Sequence, residues 1–305
     1  MKALRMILFQ NSANYKKEET VDNKMTYPLP PLSTIIGAIH TACGYTEYKN
    51  MDISVQGKFE SMHKKMYKDY CFHNRFEPDR DLLVKLKNPN ILSNAFDKVA
   101  VITEKSKNLN FRAGNCSHVY NQRLFEEYLN LYELKNITNN FQEEKYKFYA
   151  EEYSKYRTVV SSVKYYEILD QVTLIIHIRT DESTLHDILD NIYNLKSIGR
   201  SEDMVQVINA EIVELQDEIA DEVESPYSAY LDYNLLKEDK IYPKLRNSKV
   251  SGTRYYLNKD YHIENNKRIF NKKKVLYTSQ YVIDECSENL LIDEYDGQKL
   301  IVNFL

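Results

Sequence analysis

Apolar and polar side chains alternate along several stretches of the chain, and a period of two residues is typical of β-strands. The clearest case is residues 171–179, where every second side chain from Val172 to Ile178 is apolar, whereas the positions between them include His177 and Arg179. One apolar side and one partly polar side fit a sheet that helices cover on one face only. Three further stretches predict strands: 3–10, 51–59 and 204–214.

Two stretches with the periodicity of a helix lie between these strands. At the start of residues 33–43, Ser33 or Thr34 can accept a hydrogen bond from a backbone N–H group, and Gly44 suits the left-handed position after the helix end. In residues 183–196, which the serine at their start can cap, apolar side chains recur at i, i+3, i+4 and i+7. Both stretches are therefore predicted to be core-facing helices.

The predicted elements follow the order strand, helix, strand, insertion, strand, helix, strand. This order predicts an α+β fold, a ferredoxin-like βαββαβ domain with the layout that RNA-recognition (RRM-like) domains use. The domain spans residues 1–216, and the insertion at about 60–168 is too long to be a simple loop.

The insertion and the C-terminal part have patterns of their own. Within the insertion, 118–135 and 141–155 have helical composition, and 157–165 is β-like and could pair with 171–179. The acidic stretch 214–224 is the predicted domain boundary, and strand-like runs between polar turns predict a small β-rich C-terminal domain over 225–305.

The composition is that of an ordinary globular protein, since 43% of the 305 residues are hydrophobic and 28% are charged. No apolar run approaches the ~18–20 residues needed to span a bilayer. No cleavage site of a signal peptide follows the first residues, and the four cysteines lie far apart. We therefore expect a cytoplasmic protein with reduced thiols and no membrane contact.

A net charge of −4 argues against a general nucleic-acid coat, but the charge is unevenly distributed. Residues 214–224 contain six acidic and no basic residues, so the rest of the chain has a net positive charge. Basic clusters occur at Lys64 and Lys65 and over 267–274, and each could be a solvated face or a binding surface. The composition permits RNA binding without requiring it.

The stretch from Tyr27 to His40 joins an extended proline run to the first predicted helix. The helix start combines the hydroxyl groups of Ser33 and Thr34 with backbone N–H groups, a combination that suits a phosphate. Gly37 keeps one side of the helix thin, so that another molecule can approach closely. A well-capped core helix is the alternative interpretation.

Residues 198–201 form a second candidate site. Gly199 can adopt a positive φ and bring the backbone close to a ligand, Arg200 can form two hydrogen bonds with a phosphate, and Ser201 can donate one. The alternative is a helix end with a surface arginine. On the polar side of the central strand, His177 could contact a phosphate or a base, or it could have a structural role.

Several catalytic signatures are absent from the sequence. It contains no glycine-rich phosphate or dinucleotide loop, no His-Glu-x-x-His, no Cys-x-x-Cys and no Gly-x-Ser-x-Gly motif. Cys71 and His73 have no second pair of ligands to complete a zinc site. We expect no metal site, no cofactor and no catalytic residue.

Three segments resemble the Cas-five family of CRISPR Cascade subunits, and in particular its type I-B or Tneap group. The most specific segment joins Met1–Leu8 to the stretch from Tyr27 to Tyr45. Ser197–Asp203 is similar to the Gly-Arg loop of that family, and a third similar segment begins at Gly252 and includes Thr253, Arg254 and the following Tyr261–Asn265. The middle of the chain, about 70–165, matches only loosely.

The resemblance implies a non-catalytic subunit of a type I-B Cascade complex in antiviral defence, which binds and caps the 5′ handle of crRNA. The insertion would form a thumb over a Cas-seven-type backbone subunit, a Cas-eight-type large subunit would lie nearby, and target DNA would be met through the assembled complex. The residues that would contact RNA are Ser33, Thr34, Lys64, Lys65, Gly199, Arg200, Ser201 and Arg254.

Two other functions stay open. One branch of the family, in type I-C systems, is a metal-independent endoribonuclease that cuts precursor crRNA with a tyrosine, a lysine and a histidine. Tyr45, His40, Lys58 and His63 are of the right kind for the base and the cation that such a site needs, although their spacing does not assemble them. The other possibility is an unrelated ferredoxin-like protein that binds a different ligand or a protein.

Overall fold

The computed structural model of the protein describes residues 1–20, 23–73, 84–86, 116–119, 158–243, 250–264, 267–279 and 281–305. They divide into two compact units, one formed by Met1–Lys65 with Tyr166–Leu305 and the other by Met66–Tyr165. The fold is α+β, as predicted, and its sheets are mostly antiparallel.

The described strands and helices take up most of the first unit. In chain order the strands are β1 (Lys2–Ala13), β2 (Tyr15–Lys16), β3 (Thr26–Tyr27), β4 (Asp52–Lys58), β5 (Ser61–His73), β6 (Val84–Leu86), β7 (Cys116–Val119), β8 (Thr158–Arg179), β9 (Gln206–Glu214), β10 (Val223–Glu224), β11 (Ser228–Asp232), β12 (Tyr242–Pro243), β13 (Thr253–Glu264), β14 (Lys267–Thr278), β15 (Tyr281–Ile283), β16 (Leu290–Tyr295) and β17 (Gln298–Asn303). The helices are α1 (Leu32–Cys43), α2 (Glu182–Asn191), followed by a 3₁₀ turn at Ile192–Asn194, and α3 (Tyr233–Lys237).

The main sheet has the strand order β13-β14-β11-β4-β8-β1-β9, and β5 also pairs with β8. The pairs of β1 with β8 and β9, and of β4 with β8 and β11, are antiparallel. The chain forms α1 between β1 and β4, and α2 between β8 and β9. Smaller sheets are β10-β15-β12, β16-β17, β2-β3 and, in the second unit, β6-β7.

The main core lies between one face of this sheet and the two longer helices. The side of β1 that carries Leu4, Met6 and Leu8 is fully buried there, together with Ile35 of α1 and Ile188 of α2. In α1 the buried positions are Leu32, Ile35, Ile36 and Ile39, the spacing of a helix with one core-facing stripe.

Part of the opposite face of the sheet is also buried, because C-terminal elements cover it. Ala3 of β1 packs with Leu291 of β16 and Val302 of β17. Under β11 and α3, a further cluster joins Leu231 to Ile292 and other apolar residues of β15, β16 and β17. The sequence predicted a sheet that helices cover on one face only. The two longer helices do lie on one face, but the β16-β17 hairpin and the short α3 cover part of the opposite face.

The long strand β8 also differs from the sequence-based expectation. Residues 158–165 do not pair with 171–179, because both belong to β8 itself, which continues through Gln171 at a φ of +52°. The two stretches are therefore continuous along one strand, where the sequence suggested a reversal of the chain. That prediction of pairing was wrong.

The helix ends were predicted correctly at one position and incorrectly at two. Gly44 ends α1 with a φ of +70°, in the left-handed region, as predicted. The N-cap of α1 is Pro31, which cannot cap with its side chain, and the N-cap of α2 is Asp181, whose carboxylate accepts a hydrogen bond from the Thr184 amide. Ser183 donates its own hydroxyl to Asp181 instead of capping the helix.

Two expectations about the middle and the boundary of the chain are not settled by these elements. The predicted helices at 118–135 and 141–155 lie outside the described residues, except for His118 and Val119, which belong to β7. The division at 214–224 into domains of residues 1–216 and 225–305 stays a prediction. In the structure β11, β14 and β13 extend the main sheet beyond β4.

Candidate nucleic-acid interface

The start of α1 is open towards a groove on the protein surface. The amides of Thr34 and Ile35 both donate to the carbonyl of Pro31, at 2.9 and 3.2 Å, and no side chain caps the helix. Within the described part of the chain, the hydroxyl groups of Ser33 and Thr34 form no hydrogen bond. The helix start thus presents hydroxyl groups and the positive end of a helix dipole to whatever occupies the groove.

This first groove, with a volume of about 590 Å³, lies between α1 and the segment after α2. Ser33, Thr34 and Gly37 line it on the helix side. Lys196 and Gly199 line it on the other side. Two sequence segments that are more than 150 residues apart therefore meet at one surface, and both had been singled out in the sequence.

Gly199 is required by the geometry of its loop. Its φ is +106°, and a Cβ atom there would lie 2.9 Å from Oδ2 of Asp203 and 3.0 Å from the carbonyl oxygen of Asn14. The buried Asp203 carboxylate accepts hydrogen bonds from the amides of Asn14 and Arg200 at 3.0 and 2.9 Å. The sequence suggested that the backbone at Gly199 comes close to a ligand. In the structure Gly199 lies close to Asn14 and Asp203, and it also lines the groove.

Arg200 is held within this loop. Its guanidinium donates to both carboxylate oxygens of Asp203, with Nη2 at 2.6 Å from Oδ1, and pairs with Glu202 at 3.2 Å. Its Cζ lies 4.9 Å from the ring centre of Tyr166. The side chain is only 18% exposed and, like the neighbouring Ser201, it does not line the groove. The sequence suggested that Arg200 forms two hydrogen bonds with a phosphate. In the structure its guanidinium forms them with the carboxylate of Asp203.

Lys196 is the residue of this groove that the sequence analysis missed. It is exposed, lines the groove beside Ser197, and is the only cationic residue of the lining. A signal existed, because Lys196 directly precedes the Ser197–Asp203 segment. The groove therefore combines one positive charge, two hydroxyl groups and a helix start, which are groups that bind phosphate.

A second groove, of about 470 Å³, lies on the other side of α1 and shares Ser33, Thr34 and Gly37 with the first. Aromatic rings dominate it: the His40 ring lies 5.3 Å from that of Tyr45 and 5.7 Å from that of Tyr48, measured between ring centres. Tyr261 and Phe270 of the β13-β14 hairpin line its far side. Exposed rings of this kind can stack on unpaired bases.

The candidates for an endoribonuclease site do not converge. His40 and Tyr45 are neighbours, but the Tyr45 hydroxyl donates to Asp187 at 2.5 Å. Burial lowers the pKa of His40 below its ordinary value of 6.5, so that it is neutral at pH 7. Lys58 extends over the ring of Tyr227 at 5.9 Å, and His63 pairs with Asp170 at 2.6 Å, so neither lines the groove of His40.

The remaining predicted contact residues lie apart from both grooves. Lys64 and Lys65 are exposed on β5. Arg254 is exposed on β13, where its neighbours Tyr255 and Leu257 pack into the core beneath α1. Since side chains alternate along a strand, Arg254 points to the face opposite α1.

His177 belongs to a buried polar cluster on the face opposite α1. It lies beside Arg5 in the register of β1 and β8, and both contact Asp293 of β16: His177 Nε2 at 2.9 Å and Arg5 Nη1 at 2.6 Å. Arg5 also pairs with Glu211 and donates to the carbonyl of Glu294. His177 is fully buried, so it has the structural role that was the alternative to phosphate contact.

The electrostatics of this cluster favour a neutral histidine and an ionised aspartate. Burial lowers the pKa of His177, and the nearby Arg5 charge lowers it further, although the hydrogen bond with Asp293 acts in the other direction. Burial by itself would raise the pKa of Asp293, but the hydrogen bonds from His177 and Arg5 keep it below its ordinary value. The cluster joins β1 and β8 to the C-terminal hairpin.

Two features are absent from the part of the chain that the structure describes. It contains no group of three or more histidine, cysteine or acidic side chains arranged to hold a metal ion. None of its helices has the length and apolar character required to cross a bilayer.

No family model and no curated protein matches the sequence. Several solved structures are similar to the chain. A chain of a structure described as "CRISPR RNA-guided surveillance complex" is 11% identical with a TM-score of 0.43, and the match covers 92% of this chain and 91% of that one. A CRISPR protein from Archaeoglobus fulgidus is 10% identical with a TM-score of 0.37 and 99% coverage of both chains. A chain of the type III-B Cmr-beta complex bound to cognate target RNA and AMPPnP is 12% identical with a TM-score of 0.34, covering 92% and 86%. At these identities and TM-scores, the similarities establish neither a family nor an activity for this protein.

Proposed function

We propose that the protein is an RNA-binding, non-catalytic subunit of a CRISPR effector complex, and that the first groove holds the phosphates of the crRNA 5′ handle. The observation that carries the proposal is the meeting of Ser33 and Thr34 with Lys196 and Gly199 around that groove. Ser33 and Thr34 belong to one of the segments that resemble the Cas-five family, and Gly199 belongs to another. Their contact across one groove is what a shared ligand site requires.

We further propose that β1-α1-β4-β8-α2-β9 is a ferredoxin-like βαββαβ domain. The strand order β4-β8-β1-β9 and the two helices packed in one core support this assignment. In such domains the RNA strand is positioned by phosphate contacts, and its bases are splayed onto aromatic side chains. Here the exposed face of α1 lies between the first groove, whose groups suit phosphates, and the second groove, which aromatic rings line. One RNA strand could therefore occupy both grooves.

The finer assignment to a type I-B Cascade complex rests on the sequence resemblance. It includes a Cas-seven-type backbone neighbour, a Cas-eight-type large subunit and contact with target DNA through the complex. Absence of catalysis is part of the proposal, because the residues suited to ribonuclease chemistry form separate pairs.

Gly37 offers a direct test of the groove, because it is exposed and lines both grooves, and a Cβ atom at this position would have no neighbouring atom within 4 Å. In a titration of handle RNA at fixed salt, Gly37→Glu should weaken binding at least about tenfold relative to the equally large but neutral Gly37→Gln. Both variants should fold, since glycine is the weaker helix former. Equal affinity of the glutamate variant and the unaltered protein would contradict a phosphate site in this groove.

The identity of the RNA requires a second measurement. The tagged protein should be purified from its native host and the 5′ ends of its bound RNA sequenced. One repeat-derived 5′ end shared by many spacers is the expected result. Random ends or no RNA would contradict the handle-binding role, and cleavage of repeat RNA in EDTA that a His40→Ala substitution abolishes would favour the endoribonuclease.

A further inference from the structure

A cluster of cations and aromatic rings lies on the face of the main sheet opposite α1. Three positive charges surround the ring of Tyr233 in α3: Lys274 Nζ at 4.0 Å, Arg254 Cζ at 5.0 Å and Lys237 Nζ at 5.5 Å from the ring centre. Lys274 also lies 6.0 Å from the ring of Tyr256, its partner in the register of β13 and β14. We call these five residues the outer cluster.

The outer cluster is separated from both grooves by the sheet itself. Tyr255, between Arg254 and Tyr256 in β13, packs into the core beneath α1, and its ring lies 5.3 Å from that of Tyr27. Alternation along the strand then directs Arg254 and Tyr256 to the other side. On that side β16, β17 and α3 cover the neighbouring strands, whereas Arg254 is exposed and Tyr256 is 59% exposed.

The charges of the outer cluster are not neutralised within the described part of the chain. All three cations lie within 5.5 Å of one ring centre, hence within 11 Å of one another, and none of them forms an ion pair with a described carboxylate. Contact with an aromatic face contributes only about 0.5–1 kcal/mol at an exposed site. Water and salt screen the remaining repulsion, and the three cations stay available to an anionic ligand.

We propose that the outer cluster is a second nucleic-acid contact, which binds the phosphate backbone of a strand separate from the one in the first groove. Arg254, Lys237 and Lys274 would each neutralise a phosphate, and the exposed Tyr256 ring offers a surface for a base or a sugar. A nucleic acid is favoured over an acidic protein because cations alternate with aromatic rings here, a combination that suits phosphates and bases together. The phosphate backbone could belong to single-stranded RNA or to duplex DNA.

The test is the salt dependence of binding, because each phosphate contact that is lost reduces its slope. Affinities for a single-stranded RNA and a DNA duplex, each of about 20 nucleotides or base pairs, would be measured by fluorescence anisotropy between about 50 and 200 mM salt. The double variant Arg254→Gln/Lys274→Gln should reduce the slope of log K against log salt by about 1.4 for RNA or by about 1.8 for DNA. Each single variant should give half of that change, which keeps the test valid if the double variant does not fold.

A charge-matched control is Lys2→Gln/Lys299→Gln, which removes two exposed lysines outside the outer cluster and should leave both slopes unchanged. If the slope falls for RNA alone or for DNA alone, that nucleic acid is identified as the ligand. Either of these two results supports the proposal. Unchanged slopes for both would overturn it and leave an acidic protein surface as the partner. Because Gly37→Glu acts on the other face, loss of handle binding in that variant tests the first groove independently.

Discussion

Two groups of polar residues, on opposite sides of the main sheet, lie in opposite environments. On one face, Arg5 and His177 are sealed beneath the β16-β17 hairpin and contact the buried Asp293. On the other, Ser33 and Thr34 keep their hydroxyl groups without partners among the described residues and open to a groove. A polar residue in the sequence therefore indicates a binding site only when no partner from elsewhere in the chain covers it.

The difference lies in what each face must satisfy. A charge removed from water needs a partner, because an uncompensated buried charge is strongly destabilising. The residues of the groove remain hydrated, so their unused hydrogen-bonding groups carry no such penalty and are available to a ligand. Substitutions in the buried cluster of Arg5, His177 and Asp293 should thus change stability, and substitutions in the groove should change affinity.

The largest effect is expected for Asp293→Ala, which leaves the buried Arg5 guanidinium without its 2.6 Å partner. We expect the free energy of unfolding to fall by roughly 3–5 kcal/mol, the cost of breaking a buried ion pair. Chemical denaturation measures this loss. The exposed pair of Lys2 and Glu182 provides the control, since Glu182→Ala should change stability little. Similar effects of the two substitutions would remove the distinction between the buried and the open face.

The loop at the edge of the groove should respond next. Gly199→Ala places a side chain at a φ of +106° and 2.9 Å from Asp203, and should reduce the free energy of unfolding by about 1–3 kcal/mol. Gly37→Ala is the matched glycine control, with open space around it, and should stabilise the helix by about 0.5–1 kcal/mol. The same denaturation experiment compares both, and a stable Gly199→Ala protein would show that the loop relaxes.

Lys196→Gln should affect binding and not stability. Loss of one charged contact with a phosphate is expected to weaken RNA binding by about 1.5–3 kcal/mol, which a titration at fixed salt would detect. Its melting temperature should stay that of the unaltered protein, because Lys196 is exposed. Arg200→Ala, in contrast, should destabilise the loop, since Arg200 is bound to Asp203 and does not line the groove. Unchanged RNA affinity in Lys196→Gln would exclude this side of the groove from the phosphate site.

The smallest effect is a pH dependence of stability on the buried face. The pKa of His177 is lowered in the folded protein, so the unfolded chain binds its proton first as the pH falls below about 6.5. Stability should decrease between pH 7 and pH 5 by at most about 1.4 kcal/mol per pH unit from this residue, while Asp293 stays ionised because its pKa is also lowered. His40 acts in the same direction.

The variant His177→Asn isolates that dependence. Its stability should fall less steeply between pH 7 and pH 5, whatever its absolute stability, and thermal unfolding across that range measures the slope. An unchanged slope would mean that another group titrates.

The regular elements of the fold could be predicted from local patterns. The strand at 3–10 and the helix at 33–43 correspond to β1 and α1, because alternation and helical spacing act over a few residues. Pro31 and Asp181 as caps, and the continuation of β8 through Gln171, depend on backbone geometry that side-chain periodicity does not encode.

The candidate site was predicted in part for a similar reason. Ser33, Thr34 and Gly199 were named from the sequence and meet at one groove. The sequence did not indicate that Arg200 pairs with Asp203, because Asp203 appears there only as one of several nearby acids. His177 could not be assigned, since Asp293 is 116 residues away and becomes its neighbour only when the hairpin packs on the sheet.

The strand pairing of β1 has a consequence for how the chain folds during synthesis. Leu4 pairs with Ile178 of β8 and with Ile212 of β9, so β1 leaves the ribosome long before the strands it pairs with. At 5–20 residues per second, the delay before β8 emerges is roughly 10–30 s. Pairings of such high sequence separation also slow refolding, because the entropy of loop closure opposes them first. The largely apolar β1 therefore lacks its native partners for many seconds, and a chaperone that binds extended apolar segments would find its target there.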